Sequence, residues 1–479
     1  MSHPTSPTPG RAEPGATGAS GADGQESVPA PRSRPRPDPK PGPRRPDRVG
    51  MFHSLRYFNY RLWFFGALVA NTGTWAQRVA QGWLVLTELT DDSGMAMGIV
   101  TGLQFLPALL FSPLAGVIAD RVDRRRMLQV TQGSMGALAL ALGALVLTDV
   151  VQLWMVFGFA FLLGVASAFD GPVRQTFVSD MVDPGDLPNA VGLNSTSFNI
   201  ARMIGPGLAG LAIAWVGTGW VFVANGVMFG ATILALSAMR VHELRERVAV
   251  PRARGQFRQG LGYVRNRTDL IVVMVTVGVV SSLGMNQAVT QGVMARVEFG
   301  RGPEEFGVLG SVMAIGSLAG ALVATRRRNP RVRTVLLAAF AFGVASIASA
   351  LSPSYLWFAI SLVAVGFTVL TMLTSANATI QISTEPAYRG RVMSLYMMVL
   401  LGTGPVGAPF VGWVAEQFGP RASILIGAVP SVLVAVVAAL WARRAWGVQV
   451  AFRREAPGYI QFEGPRERAA RSAEETRET

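Results

Sequence analysis

The chain of 479 residues is 50% hydrophobic and 15% charged, with a formal net charge of +14. Soluble domains usually carry about a quarter charged residues, so this composition indicates a membrane protein. The absence of cysteine excludes disulfides and thiolate catalysis, and three histidines (His3, His53 and His242) argue against zinc or haem ligation.

Lysine is almost absent from the chain, since Lys40 is the only one. A phosphate-binding loop of the form G-x-x-x-x-G-K-[ST] and a Schiff-base lysine are therefore both excluded. If the protein moves a solute against its gradient, ATP bound to this chain does not drive that movement.

Residues 1–50 precede the first apolar stretch, and their Pro- and Arg-rich composition predicts a disordered cytoplasmic tail. Twelve apolar stretches follow. A helix needs roughly 20 residues to cross about 30 Å of hydrocarbon. We predict transmembrane helices near residues 62–88, 97–119, 127–147, 152–174, 190–214, 219–239, 269–292, 304–325, 333–351, 356–381, 391–415 and 421–441.

Arginine is distributed unevenly between the loops, which predicts the orientation in the membrane. The loops on one side hold Arg121, Arg124 to Arg126, the cluster from Arg240 to Arg267, Arg326 to Arg328, Arg331, Arg333, Arg389 and Arg391. Those on the other side hold Arg296, Arg301 and Arg421. The positive-inside rule places both termini in the cytoplasm. The arginines lie in loops beside the membrane, where anionic lipid headgroups attract them, so the positive net charge does not indicate a nucleic-acid partner.

The longest internal loop, residues 240–268, divides the spans six and six. We therefore predict an N-terminal bundle at 51–239, a basic cytoplasmic linker at 240–268, a C-terminal bundle at 269–442 and a polar cytoplasmic tail at 443–479. Within the linker, Phe257, Leu261 and Val264 recur at helical spacing. This spacing favours a short helix on the membrane surface, and a solvated linker is the alternative.

The two halves carry matching glycine-proline pairs, which we interpret as a hinge motif. Gly205-Pro206 lies in span five and Gly404-Pro405 in span eleven. Proline removes a backbone hydrogen bond and bends a helix. Repeated halves are typical of secondary transporters, whose substrate binds between them near the membrane midplane.

The loop after span two contains Gly116, Asp120, Arg121, Arg124 and Arg125. It resembles the signature G-x-x-x-D-R-x-G-R-R of the major facilitator superfamily, with Asp123 where many members have glycine. The resemblance implies a gating motif, in which Asp120 holds the cytoplasmic ends of the halves together. If the arginines only set the topology, this role would not apply.

Span five, from Gly192 to Gly210, resembles the exporter motif G-x8-G-x3-G-P-x-x-G-G of the same superfamily, with Ala201 and Ala209 replacing two glycines. Three further stretches resemble the enterobactin-exporter and macrolide-efflux branch, the transmembrane secretion effectors. They are Gly73-Thr-Trp75-Ala-Gln77-Arg78, Asp170-Gly-Pro172-Val-Arg174-Gln175 and Arg389-Gly390-Arg391-Val-Met393.

These resemblances imply an all-α membrane protein with twelve transmembrane helices in two pseudo-symmetric six-helix bundles, the major facilitator fold. They imply alternating access and export of small amphipathic compounds such as drugs, macrolides or siderophores. The proton gradient is the implied energy source, and no cofactor is implied. We expect the protein to act as a monomer among membrane lipids.

Charged residues inside predicted spans each cost several kcal/mol or require a partner, and three of them are candidates for proton coupling. Arg202 lies roughly ten residues, or about 15 Å, inside span five, and Asp170 lies in the neighbouring span four. We predict that Asp170 pairs with Arg202 and takes part in proton coupling, with a static structural pair or a helix cap at Asp170 as the alternatives. Arg78 is the third candidate, either at the pathway or reaching the headgroups.

Uncharged polar residues predict a substrate cavity, because spans one, four, seven and ten line the pathway in the superfamily. The alternative is that these side chains only join helices by hydrogen bonds. The candidates are Asn71, Gln77, Gln81, Gln104, Asn199, Asn286, Gln287, Gln291, Asn377, Gln381 and Tyr396.

Two other functions remain open at this point. A nutrient importer of the same fold is one, and the exporter-like motif of span five argues against it. A polytopic membrane enzyme or lipid-handling protein is the other. It requires catalytic residues that converge at membrane depth, and the sequence contains no such cluster of His, Cys, Lys or paired acids.

Overall fold

A computed structural model of the chain describes residues 50–245, 256–325, 331–445, 449–452 and 460–463. The predicted N-terminal tail, Arg326 to Arg328 and much of the C-terminal tail lie outside these residues. The helices of the N-terminal half are α1 (Phe58–Trp83), α2 (Gly94–Arg121), α3 (Arg124–Leu147), α4 (Leu153–Met181), α5 (Leu187–Val216) and α6 (Thr218–Ser237).

The C-terminal half repeats this pattern after the linker helix α7 (Gln256–Arg265). Its helices are α8 (Thr268–Val279), α9 (Gln287–Val293), α10 (Pro303–Thr325), α11 (Val332–Ala350), α12 (Tyr355–Ser383), α13 (Arg389–Gly402), α14 (Gly404–Phe418) and α15 (Pro420–Ala445). Because α8 with α9 and α13 with α14 each form one broken span, each half contains six spans.

Eleven segments of the described chain are long and apolar enough to cross a membrane. The remaining long helix, α1, is not among them, but it packs against α5 and α6 within the same bundle. The predicted twelve-helix, two-bundle architecture therefore agrees with the structure. We call the end of the bundles where α1 begins the arginine-rich end, and the end where α1 finishes the opposite end.

The spans are less regular than the sequence predicts. Span one continues from α1 into a π-helical turn at Leu84–Glu88, and span seven contains two such turns, at Val280–Gly284 and Met294–Glu298. Span seven therefore reaches Glu298, beyond the predicted end at residue 292. Single-turn π-helical bulges are frequent at functional sites.

Span eleven breaks at Thr403, directly before the Gly404-Pro405 pair. Proline lacks the N–H that would continue the hydrogen bonds of α13, so α14 starts afresh with Pro405 in its first turn. Span five behaves differently, because α5 continues through Pro206 without a break. The two matching pairs thus have different local structures.

Part of the N-terminal core lies near the arginine-rich end, where α1 meets α4 and α5. The buried Trp63 ring contacts Phe177 edge-on, with 5.5 Å between the ring centroids. Nearby, the Tyr60 hydroxyl donates to the backbone oxygen of Ala190 at 2.7 Å. These contacts connect three spans of the bundle.

The linker contains the predicted short helix, α7, and this helix packs against α13. Tyr263 stacks on Tyr388 with 4.6 Å between centroids, and Val264 is buried. Of the residues that predicted a surface helix, Leu261 is exposed and Phe257 has a side chain outside the described structure. The helix therefore rests partly on the C-terminal half.

The described part of the C-terminal tail contains a small antiparallel hairpin. Its strands are β1 (Gln449–Phe452) and β2 (Ile460–Glu463), with Gln449 opposite Glu463. Within the described residues these strands are the one departure from the predicted all-α fold.

Candidate functional site

A cavity of about 380 Å³ lies between the two halves. The N-terminal half contributes residues of α1, α2 and α5, and the C-terminal half contributes residues from the broken span seven and from α10 to α14. Its volume falls in the range of about 300–1,000 Å³ that is usual for small-molecule sites. The two halves must both be present to form this site.

Two arginines line the cavity on the N-terminal side. The Arg78 guanidinium lies 4.8 Å from the Trp75 ring centroid and 5.2 Å from that of Phe105. Arg202 lies 6.0 Å from the same indole, and its Nη2 donates to the hydroxyl of Ser317 at 2.7 Å. Both guanidinium groups therefore lie near the same indole ring. Of the two alternatives for Arg78, the structure places its side chain at the cavity.

Four of the predicted amides line the same cavity, namely Gln104, Asn286, Gln287 and Gln291. Gln104 donates to the side-chain oxygen of Gln81 at 3.0 Å. Asn286 lies in the break before α9 and donates to the Ser282 backbone oxygen at 2.6 Å. The break in span seven therefore presents a group of amides to the cavity.

The other predicted cavity residues do not line it. In the N-terminal half, Gln77 accepts from Asn225, Gln81 binds Gln104, Asn71 accepts from Arg174, and Asn199 donates to the Ser195 backbone oxygen. In the C-terminal half, Gln381 donates to Asn377 one helical turn away, and the buried Tyr396 donates to the Leu373 backbone oxygen at 3.4 Å. These side chains join helices or turns.

The predicted pair of Asp170 with Arg202 is wrong. Asp170 Oδ2 accepts from Arg174 Nε at 2.7 Å, one turn along α4. Its Oδ1 accepts from Thr131 Oγ1 at 2.8 Å and from Gln132 Nε2 at 2.7 Å, both on α3. Arg202 instead donates to Ser317 on α10 of the other half. We call Asp170, Arg174 and these two partners the Asp170 cluster.

The Asp170 cluster is buried within the N-terminal bundle and away from the cavity lining. Asp170 itself is 4% exposed. Arg174 also donates to Asn71 at 3.0 Å and lies 5.6 Å from the Trp63 ring centroid, so the cluster links α1, α3 and α4. Removing one partner of such an ion pair leaves the other charge uncompensated inside the bundle, which is strongly destabilising.

The arginines of the gating motif connect helices within the N-terminal half. Arg124 forms an ion pair with Asp180 at 2.5 Å, and Arg125 Nε donates to the backbone oxygen of Leu236 at the end of α6. Arg121 is exposed. The side chains of Gly116 and Asp120 lie outside the described structure. The predicted latch between the halves therefore stays a prediction.

Asp123, which departs from the superfamily pattern, caps α3. Its side chain accepts from the Arg126 backbone N–H at 2.8 Å. Replacing Asp123 with Ala should lower the free energy of unfolding by about 1 kcal/mol, whereas Asp123→Gly should cost roughly 0.3 kcal/mol. Denaturant titration in detergent micelles measures both. Equal losses in the two variants would contradict the capping role.

The glycine of the span-five hinge motif permits a close helix contact. A Cβ at Gly205 would lie 2.9 Å from the Thr72 backbone oxygen of α1. Pro206 of span five and Gly404 of span eleven both line the cavity. Pro405 contacts α2 near Gly102, where a Cβ would lie 2.8 Å from the Pro405 backbone oxygen. The motif lies at helix junctions beside the cavity.

At the opposite end the two halves meet through polar and aromatic contacts. Arg296 Nε donates to Asp92 at 3.0 Å, and Ser93 Oγ donates to Glu416 at 3.3 Å. Trp83 stacks on Phe306 with 5.9 Å between centroids. We call these three pairs the opposite-end interface.

Close helix packing also joins the two halves at this end. A Cβ at Gly94 would lie 2.9 Å from the Gly412 backbone oxygen, and one at Gly210 would lie 2.5 Å from that of Pro303. The helices α2 and α14, and α5 and α10, therefore approach at backbone distance here. Glycine at positions 94 and 210 makes these contacts possible, since any larger side chain would clash with the facing backbone.

Comparison with known proteins identifies a family along almost the whole folded chain. The model of the transmembrane secretion effector family matches residues 49–453. The staphyloferrin A transporter of Staphylococcus aureus is 24% identical over 381 residues, covering 79% of this chain and 94% of that protein. The multidrug efflux pump Tap of Mycolicibacterium fortuitum is 27% identical over 396 residues, covering 78% and 93%.

A third relative is macrolide efflux protein A of Streptococcus pyogenes, 23% identical over 402 residues, which covers 80% of this chain and 96% of that protein. Among solved structures, a bacterial homologue of the human lysosomal transporter Spinster, in an inward-facing and unoccupied conformation, aligns with a TM-score of 0.61. It is 16% identical and covers 80% of this chain and 96% of that one.

The nucleoside transporter NupG gives a TM-score of 0.62 at 14% identity, covering 80% of this chain and 98% of that one. At such identities these likenesses concern the fold alone. With the two six-span bundles and the cavity between them, they agree with the family match. The chain belongs to the transmembrane secretion effector family and is a membrane transporter of the major facilitator superfamily, not an enzyme.

Proposed function

We propose that this protein exports small amphipathic compounds by proton antiport, with alternating access between its two bundles. The observation that carries the proposal is the cavity lined by both halves. A site shared in this way opens to one side of the membrane or the other as the bundles rock. Its lining combines amides with methionine and aromatic side chains, a combination that suits ligands with polar and apolar parts.

The arginine distribution supports a cytoplasmic location for the arginine-rich end and for both termini. In this orientation the opposite-end interface faces outward. Its ion pair between Arg296 and Asp92 and its close helix contacts support an inward-facing state, in which the cavity loads from the cytoplasm. Loading from the cytoplasm is the first step that an exporter requires.

The Asp170 cluster is our candidate for proton coupling. Asp170 is a buried carboxylate whose charge is balanced by Arg174 on the same helix. When Asp170 takes up a proton, the ion pair is lost, and Arg174 is left with Asn71 and the Trp63 ring as partners. Because the cluster joins α1, α3 and α4, this change acts on the packing of the N-terminal bundle.

An importer of the same fold is the alternative direction. The relatives named as efflux pumps and the exporter-like span five both favour export. We therefore retain import as an outcome of the test.

Transport assays in everted membrane vesicles test this proposal. We expect respiring vesicles to accumulate at least one compound from a panel containing a macrolide, a hydroxycarboxylate siderophore and an amphipathic dye. A proton uncoupler should abolish the accumulation, and vesicles without the protein provide the control. Accumulation that resists the uncoupler would remove proton antiport. Uptake into intact cells would favour import.

A further inference from the structure

The cavity contains two positive charges whose described partners are all neutral. Arg202 binds the Ser317 hydroxyl, and Arg78 lies against the rings of Trp75 and Phe105. Of the residues that line the cavity, all of which the structure describes, none is Asp or Glu. The site therefore has a net positive charge and no carboxylate of its own.

Arg174, another arginine inside the N-terminal bundle, differs from these two in its partner. Arg174 has a carboxylate partner, Asp170, at 2.7 Å. Charged groups within the membrane usually pair with an opposite charge, because an unpaired charge there is costly. Arg78 and Arg202 both lie within 6.0 Å of one indole ring, so they also repel each other. An anion bound between them would relieve both costs.

We propose that the substrate carries a carboxylate that binds Arg78 and Arg202 across the face of Trp75. The guanidinium fork matches a carboxylate in shape and in hydrogen-bond direction. The inference rests on the proposed export function, for which it specifies the substrate class.

The rest of the cavity indicates what the carboxylate is attached to. On the C-terminal side the lining includes Met285, Met313, Phe306 and Phe342. Methionine and aromatic side chains adapt to apolar surfaces of different shapes. The preferred substrate is thus an anionic amphiphile with an apolar body, and cationic amphiphiles are disfavoured by charge repulsion.

Three pyrene compounds with the same apolar body and different heads test this class. They are pyrenebutyrate, pyrenebutanol and pyrenebutyl-trimethylammonium, which are anionic, neutral and cationic. Binding to the full chain in nanodiscs is followed by energy transfer from tryptophan, with empty nanodiscs as the background. We expect pyrenebutyrate to bind at least tenfold more tightly than the cation, with the alcohol between them.

Arginine variants connect this preference to the two residues. Arg78→Gln and Arg202→Gln should each weaken pyrenebutyrate binding about tenfold, a ratio that corresponds to about 1.4 kcal/mol, and should change pyrenebutanol binding by less than about threefold. Arg61→Gln is the matched control, because Arg61 is an exposed arginine on the same helix, roughly 25 Å from Arg78 at 1.5 Å per residue.

Three results would overturn the inference: equal binding of the three compounds, no binding of pyrenebutyrate, or an equal loss for all three in the arginine variants. The last result would mean that the arginines only support the shape of the cavity. The vesicle assay separates the two proposals. Export of a neutral or cationic compound without anion-selective binding keeps the proposed function and removes this inference. Anion-selective binding without export of any compound keeps the inferred binding preference and removes the proposed export function.

Discussion

Replacing Asp170 with Asn is expected to abolish proton-driven accumulation of substrate and to leave substrate exchange intact. The amide that replaces the carboxylate neither binds nor releases a proton, yet its oxygen still accepts from Gln132 and Thr131. Substrate binding should persist because Asp170 does not line the cavity. Everted vesicles measure accumulation, and preloaded proteoliposomes measure exchange without a proton gradient.

The variant leaves the partly buried Arg174 without its counter-charge, which costs up to about 3–5 kcal/mol of stability. The double variant Asp170→Asn/Arg174→Gln removes both charges, so it separates loss of coupling from loss of folding. Asp269→Asn is the matched control, since Asp269 also pairs with an arginine, Arg267, at 2.8 Å, but outside the N-terminal bundle. Undiminished, uncoupler-sensitive accumulation in either Asp170 variant would show that Asp170 does not carry the proton.

The architecture was predictable because each span must satisfy its backbone hydrogen bonds within lipid, and only long apolar helices do so here. Twelve apolar stretches and one long loop were therefore enough to predict two six-helix bundles. The exact ends of spans were less predictable. Span seven contains Asn286 and Gln287 in its middle, and its helix breaks there so that the amides face the cavity.

The partner of Asp170 was available in the sequence but was assigned wrongly. Arg174 follows Asp170 by four residues, and this spacing brings two side chains together on one helix face. Arg202 seemed the better partner only because its span follows in the chain. A charge on the same helix is a closer partner than one on a neighbouring helix whose orientation is unknown.

The cavity was only partly predictable, because composition does not tell which face of a helix a residue occupies. Gln77 and Gln81 lie on α1 with Arg78, yet Arg78 lines the cavity while the two glutamines bind neighbouring helices. The cap formed by Asp123 had a recognisable signal, an Asp at the start of a basic helix. The pairing of Asp92 with Arg296 had none, because these residues are far apart in the chain.

Linking Ser93 to Glu416 through introduced cysteines is expected to stop transport. The two side chains lie 3.3 Å apart on opposite halves, and alternating access requires that they separate when the cavity opens outward. The chain has no cysteine of its own, so the introduced pair reacts without background. Because Ser93 also caps α2 by accepting from the Ala96 N–H at 3.2 Å, Ser93→Cys alone provides the baseline.

A pair within one half provides the matched control for this cross-link. Thr218 donates to Glu88 at 3.1 Å, which is again a hydroxyl and a glutamate at the opposite end, but both belong to the N-terminal half. Rigid-body rocking of the halves does not separate them. Linking Thr218→Cys to Glu88→Cys should therefore leave export at the rate of the unlinked variant.

We expect the halves to separate at the opposite end in every transport cycle. Export from vesicles containing Ser93→Cys/Glu416→Cys tests this separation, before and after treatment with the short reversible linker methanediyl bismethanethiosulfonate. We predict that export falls to the background of vesicles without the protein and returns after reduction with dithiothreitol. Export that continues unchanged in fully cross-linked protein would contradict the account.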